Sequence, residues 1–319
     1  MAGYSVCRYI TGNDRKVPLS FSPSREKKGS KTGGTKNSTL FLHGKDKPGE
    51  SFNEPMKPEP ITDPNDARIT PYRELKDRRL AQEQGLFVVE GRQLVRRLLT
   101  SEIEAHSILM TKACFASGPW DVPEGIPVYQ ASKEIISSMV GFQFHRGVLG
   151  LGHRPAPVSL EKAWGDIERI HRLLICPEIN DVENLGSILR TAAGLGFGNV
   201  WLGPSCCDPW SRRAIRTSMS AVFQLQISRS ERLEDDLERL RDTYGFEFHA
   251  TVIDGSATAL VSMVPPKKVG LLLGSEANGL SDQWQAVADQ LVTIPMDLGA
   301  DSLNVAVAAG IFMHHYRGG

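Results

Sequence analysis

The chain carries no excess of either charge: 37 Lys and Arg balance 37 Asp and Glu over 319 residues, so net charge gives no reason to expect a nucleic-acid or membrane partner. It also lacks any apolar run near the ~20 residues that cross a bilayer. The N-terminal stretch MAGYSVCRYITGNDRK has no apolar core of the kind a secretory signal needs. An intracellular, cytoplasmic protein with no membrane partner is therefore expected. Cysteine is scarce and odd in number. Cys7, Cys114, Cys176, Cys206 and Cys207 show no CxxC spacing, which argues against a zinc site and a disulfide framework, and implies reduced thiols and no metal.

What is present is unevenly spread. Residues 1–60 hold eleven Lys/Arg against six Asp/Glu, concentrated in REKKGSKTGGTK (Arg25–Lys36). Such a segment cannot bury enough apolar surface to order itself, and residues 1–65 read as a disordered basic tail and linker, with four prolines in Pro55–Pro64. The tail would add salt-sensitive attraction to phosphates, act as a solubilising extension, or be a degenerate targeting segment.

Residues 66–153 read as a small α/β module: a charged helix around Tyr72–Gln84, a strand Leu86–Glu90, a helix Gly91–Thr100 and a strand Ser107–Thr111. Arg73, Lys76, Arg78, Arg79, Arg92, Arg96 and Arg97 make its first two helices basic, as a phosphate-tracking surface requires. FQFHRGVLGLG (Phe142–Gly152) ends the module and offers an aromatic, His145 and Arg146 to a nucleotide.

After the punctuation RPAP (Arg154–Pro157), residues 157–319 become βα repeats. Strands are expected at Arg172–Cys176, Asn199–Leu202, Val222–Ile227, Glu247–Val252, Val269–Leu273 and Leu291–Ile294. Helices are expected near Asn184–Gly196, Arg212–Thr217, Leu233–Tyr244, Asp282–Ala288 and Leu303–Arg317. The alternation implies a mostly parallel sheet covered on both faces. Gly194, Gly196 and Gly198 follow a helix and precede a strand, the reverse of a dinucleotide fingerprint, so a nicotinamide cofactor is discounted.

Three loops concentrate polar residues at strand ends. IPMDLGADSLNVAVAAGIFMHHYR (Ile294–Arg317) places Ser302 where a helix needs an N-cap, with Asn304 in its first turn. LLLGSEANGLS (Leu271–Ser281) presents Glu276 and Asn278 from a glycine turn. PEINDVENLGSILRTAAGLGFGNVWL (Pro177–Leu202) carries Asn184, Gly186 and Arg190. In wording, order and spacing these three resemble the motifs of the SpoU/TrmH family of knotted RNA ribose 2′-O-methyltransferases, over about Arg68–Arg317. LKDRRLAQEQGLFVVEG resembles the opening of the ribosomal-protein-like RNA-binding domain that precedes the knotted domain in many members.

The resemblance implies a deep trefoil knot, S-adenosylmethionine as cofactor, a tRNA or rRNA substrate and a homodimer paired through the last helix. Carried over by motif position, Gly274, Ile294, Met296 and Leu303 would hold the donor. Asn184 and Glu276 would order the loops, and Ser302 with Asn304 would fix loop, donor and ribose. Arg190 would act on the 2′-hydroxyl, with Ala192 and Ala193 leaving room for a ribose. A guanidinium stays protonated, so Arg190 fits a stabiliser of developing charge better than a base. Arg78, Arg79, Arg146, Arg212, Arg213 and Arg216 would meet RNA. Ser220 stands where the family commonly has glycine, and Ala306 where it commonly has serine. A catalytically silent RNA-binding protein of ribosome assembly, and a methyltransferase acting on a base or a protein, are the competing readings.

Overall fold

The computed structural model describes residues 57–73, 75, 84–156, 167–276, 278–298 and 301–318. The basic tail, Lys76, Arg78, Arg79 and most of the expected helix at Tyr72–Gln84 lie outside the described residues.

Strand-forming runs of Val, Leu and Phe first build a five-stranded sheet from β1 (Glu59–Pro60), β2 (Leu86–Glu90), β3 (Ala105–Met110), β4 (Val128–Gln130) and β5 (Val148–His153), in the order β1-β4-β3-β5-β2. The helices α1 (Arg92–Leu99), α2 (Lys112–Ala116) and α3 (Lys133–Met139) connect these strands. Thr111 and Ser132 cap α2 and α3 by accepting the backbone N–H of Cys114 and Ile135.

The second sheet has seven strands and every pairing is parallel. In chain order its elements are β6 (Arg172–Cys176), α4 (Val182–Leu195), β7 (Asn199–Leu202), α5 (Arg212–Thr217), β8 (Gln226–Arg229), α6 (Leu233–Tyr244), β9 (Glu247–Thr251), β10 (Thr258–Ala259), β11 (Val269–Leu272), α7 (Asp282–Val287), β12 (Gln290–Thr293) and α8 (Val305–Tyr316). The order β10-β12-β9-β11-β6-β7-β8 makes β6 the point where the chain, having run outward through β7 and β8, returns to build the other side. The α5 and α6 boundaries agree with the sequence reading. β10 was too short to be legible.

Alternation divides each strand between two cores. Leu174 and Cys176 of β6 face α4 and α8, whereas Leu173 and Ile175 join Trp201, Phe248 and Leu272 on the other face. In β2, Phe87 and Val89 belong to the same apolar cluster as Leu174, and Leu86 and Val88 pack within the small sheet's own core. One core thus runs through both sheets. Phe87 meets Trp210 and Phe223 at ring centroid distances of 5.2 and 5.7 Å.

This shared core explains where the expected strand Val222–Ile227 goes. Ala221, Val222 and Phe223 are buried in a 3₁₀ turn, Ala221–Gln224, instead of a ladder, and the strand begins at Gln226. The turn is entered through left-handed backbone at Met219 (φ 51°) and Ser220 (φ 61°). Glycine would adopt that conformation freely; a serine there costs on the order of 1–2 kcal/mol. The Ser220 amide donates to the Ile215 carbonyl at 2.9 Å, and Arg97 donates to the Met219 carbonyl, which holds the turn in place.

α8 is fixed at its C-terminal end. Arg172 donates to the carbonyls of Tyr316 and Arg317 at 3.1 and 2.9 Å, and the Tyr316 hydroxyl lies 2.5 Å from Nδ1 of the buried His249. Gly196 closes α4 in left-handed conformation (φ 81°).

Polar fasteners supplement the junction of the two sheets. Arg154 bonds both carboxylate oxygens of Asp208 at 3.0 and 2.7 Å, and Arg212 donates to Glu90 at 2.9 Å while lying 3.8 Å above the Phe142 ring. The Glu90 side chain is only 10% exposed. Arg212→Met should strand that carboxylate and lower stability by about 1–3 kcal/mol, read in urea denaturation. The double variant with Glu90→Gln should recover part of the loss.

Candidate active site

In an open parallel sheet, ligands bind beyond the carboxyl ends of the strands where the strand order reverses. Here that place lies between β6 and β11; two of the polar loops emerge there, and the third, which leaves β12, reaches it through Asn304. β6 runs into Pro177–Asp181, where the Asp181 carboxylate caps α4 by accepting the N–H groups of Glu183 and Asn184, both at 2.8 Å. β11 runs into a tight turn in which Ser275 and Gly279 exchange backbone hydrogen bonds of 2.9 and 3.0 Å. A Cβ on Gly274 would fall 2.2 Å from the Gly279 carbonyl carbon, so only glycine fits. β12 runs through Ile294–Asp301 into α8.

A single side chain joins the loops. The Asn184 amide donates to the Glu276 carboxylate at 2.8 Å, and its carbonyl oxygen accepts from the Asn304 amide at 3.0 Å. Asn304 in turn accepts the Ala306 N–H at 2.9 Å and is the N-cap of α8. This corrects the expected helix start at Leu303 and the assignment of the cap to Ser302. Asn304, expected in the first turn, is instead the residue that begins the helix. Ala306 contributes only its backbone, so the absence of a hydroxyl there leaves the cap intact. Ser302 is exposed two residues before the cap.

The apolar donor candidates are only partly covered. Ile294 and Met296 are half-buried, Leu303 is 37% exposed, and Leu298 is fully exposed with left-handed backbone (φ 57°). Cys176, at the end of β6, has its thiol held protonated by burial, then by nearby Cys207 and the Glu276 carboxylate, which makes it a poor nucleophile. The described cysteines, Cys114, Cys176, Cys206 and Cys207, are all free, and no described group of three His, Cys, Asp or Glu is placed to hold a metal.

Arg190 stands apart from the Asn184 hub. Six residues along a helix place it about 120° around the axis and about 9 Å along it. It is exposed and has no hydrogen-bond or ionic partner among the described residues. It shares a helix face with Gly186, where α5 packs so closely that a Cβ would sit 2.8 Å from Thr217 Cβ and 2.9 Å from the Ala214 carbonyl oxygen. The space expected beside it from Ala192 is not there, because Ala192 is fully buried in the core; only Ala193 is part-exposed.

The other arginines divide. Arg213 and Arg216 are exposed on α5, Arg213 loosely paired with Glu183 at 3.7 Å, and Arg146 is exposed beside Gly91. Arg212 is occupied by Glu90 and Phe142. Arg92 and Arg96 lie 5.1 and 5.8 Å over the Trp120 ring and donate to the Ser117 and Pro119 carbonyls, and Arg97 binds the Met219 turn. The second basic helix thus spends guanidinium N–H groups on internal carbonyls, although Arg96 and Arg97 remain exposed.

Two supporting residues escaped the sequence reading. The loop after β7 backs the first polar loop so closely that a Cβ on Gly203 would meet the Pro177 carbonyl oxygen at 2.3 Å. Arg229 holds that loop by donating to the carbonyls of Gly203, Pro204, Cys206 and Cys207 at 2.8–3.1 Å. A glycine directly after a strand was the only local signal; Arg229 carried none, because its partners are all backbone.

In comparison with known proteins, residues 171–314 match the family model described as the SpoU rRNA Methylase family, and residues 66–145 match that of the MRM3-like substrate binding domain. An uncharacterized tRNA/rRNA methyltransferase of Mycobacterium tuberculosis is 34% identical over 269 residues, covering 81% of this chain and 92% of its own. The 23S rRNA (guanosine(2553)-2′-O)-methyltransferase of Bacillus subtilis is 25% identical, covering 79% and 96%. The AdoMet-bound rRNA methyltransferase of Sinorhizobium meliloti superposes with a TM-score of 0.67 at 26% identity, covering 81% and 97%.

Asn304→Asp separates the two duties of the hub. Aspartate caps helices as well as asparagine does, but it has no amide proton for Asn184 and sets a carboxylate against its carbonyl oxygen. Stability in urea should change by less than about 0.5 kcal/mol through the cap, whereas amide exchange in the Gly274–Gly279 turn should accelerate. Asn304→Ala should lose about 1 kcal/mol as well.

Proposed function

The chain belongs to the SpoU rRNA methylase family, and from that premise we propose that it methylates a ribose 2′-hydroxyl of ribosomal or transfer RNA, with S-adenosylmethionine as the methyl donor. The observation that carries this reading is the convergence of three motif loops on Asn184 at the reversal point of a parallel sheet. An RNA substrate of either kind fits a cytoplasmic site of action.

The residues present fit the donor. Ile294, Met296 and Leu303 offer apolar side chains that an adenosine would cover, and Gly274 leaves backbone groups uncrowded by any Cβ. Bound there, the donor supplies an electrophilic methyl on a cationic sulfur. Transfer needs the ribose oxygen in line with that methyl. We assign that positioning to Ser302 and Asn304, with Asn184 and Glu276 holding the loops in register. Arg190 then stabilises the charge that develops on the 2′-oxygen and engages a neighbouring phosphate, which accepts the proton.

We assign residues 66–153 to substrate RNA binding and 157–319 to catalysis. Arg146, Arg213 and Arg216 are the exposed candidates for phosphate contact, whereas Arg212 serves the junction first. Arg78, Arg79 and the basic tail would add contacts of their own. We also propose the trefoil knot that the resemblance implies, which would let α8, although it follows β12 on the far side of β9 and β11, pack against α4. We propose a homodimer as well, since Val307 and Ile311 form an exposed apolar patch one turn apart on α8. Light scattering should give about twice 35.1 kDa, and Val307→Lys should give the monomer mass. A wild-type monomer at micromolar concentration would contradict the dimer.

Arg190→Ala should retain fold and donor affinity but lose about a hundred- to a thousandfold in single-turnover methylation, because the charge it meets exists only in the transition state. Arg190→Lys should recover little, since an ammonium lacks the planar two-pronged contact. A rate within a few-fold of wild type in Arg190→Ala would make Arg190 a docking or structural residue.

A further inference from the structure

Away from the polar loops, at the open end of the parallel sheet, lies a cleft with no part in the chemistry above. β8 is the edge strand there. Arg97 and the turn Thr100–Ile103 at the end of α1 face Trp210 and the segment Phe223–Ser228 across about 650 Å³. A cavity of this size between packed domains is typical of small-ligand sites.

The chemistry of the lining narrows the ligand. Arg97 and Glu102 are its only charged side chains and they cancel, so the cleft selects neither an anion nor a cation. Of its other polar side chains, the Thr100, Ser101 and Ser220 hydroxyls donate to nearby backbone carbonyls, whereas the amides of Gln224 and Gln226, both exposed, and the Ser228 hydroxyl can donate and accept at once. Trp210 forms an aromatic wall, stacked on Phe223 at 6.3 Å and 11°, and its indole N–H has no hydrogen-bond partner among the described residues. The backbone adds a further pair. The Gln226 and Ser230 amides bond β7, at Gly198 and Leu202, so the parallel ladder turns the N–H and C=O of Ile227 outward, where no further strand lies among the described residues.

A neutral planar group with mixed donors and acceptors on its edge and an apolar face is a nucleobase. We propose that this cleft receives an unpaired base of the RNA substrate, at a docking site distinct from the methylated nucleotide. The proposal rests on the RNA reading above. Reading of the base falls to the two glutamines and the Ile227 backbone, and stacking falls to Trp210. Such a site would favour RNA with an unpaired nucleotide at a fixed distance from the target.

The test is saturation-transfer NMR of the full chain with uridine, cytidine and guanosine, with S-adenosylhomocysteine held at saturation to fill the donor site. Adenosine is omitted because it resembles the donor. At least one nucleoside should receive saturation from the wild type. Gln226→Ala, an exposed change, should weaken that binding about two- to tenfold, as loss of one hydrogen bond does, and Gln226→Trp, which fills the cleft, should abolish it. Affinity for S-adenosylhomocysteine should be equal in all three. No nucleoside signal, or equal signals in the three proteins, overturns the proposal. Failure of S-adenosylhomocysteine to bind would count against the methyltransferase reading instead, and the nucleoside series would still be readable.

Discussion

The candidate site depends on one amide side chain used twice. Asn184 donates to Glu276 after β11 and accepts from Asn304 at the head of α8, and so links loops that are 92 and 120 residues away in sequence. An asparagine can do this because one planar group carries both a donor and an acceptor. Aspartate has no donor to offer Glu276, and a longer glutamine would have to be accommodated in the same gap. Everything around the hub serves to aim it. Asp181 caps the helix that carries it, Gly274 lets the opposing turn close, and Arg229 holds the backing loop against Pro177 through four carbonyls.

The two sheets are fixed relative to each other by a shared apolar core and not by surface charges alone. Phe87, Trp210 and Phe223 bring the small sheet against the 3₁₀ turn after α5, and Arg97, Arg154 and Arg212 complete the polar margin. The consequence for function is a division among the arginines. Those at the junction are occupied by carbonyls, carboxylates or aromatic faces, whereas Arg146, Arg190, Arg213 and Arg216 are exposed, and it is these that we propose for RNA contact. A basic composition alone does not distinguish the two groups.

Much of this was legible in the sequence, for definite reasons. The βα alternation is strong because each buried parallel strand is a nearly unbroken apolar run, as in RLLIC and VGLL. Asn184, Gly274, Glu276 and Asn304 stood out because their motifs are local in sequence even though their contacts are not. What failed was what tertiary packing decides. Val222–Ile227 reads as a strand by composition, but the junction with the small sheet takes Val222 and Phe223 into its core first. Ser302 reads as a cap because serine is a good one, yet Asn304, two residues on, is free to cap and to reach Asn184 together. Arg229 and Gly203 left no pattern, since a set of backbone carbonyls has no sequence.

The most direct test of the central claim is nucleoside mass spectrometry of RNA from cells lacking this protein, after incubation with the purified chain and methyl-labelled S-adenosylmethionine. The account predicts label in a single 2′-O-methylated nucleoside of ribosomal or transfer RNA. Label on a base, on protein, or nowhere in RNA would contradict it.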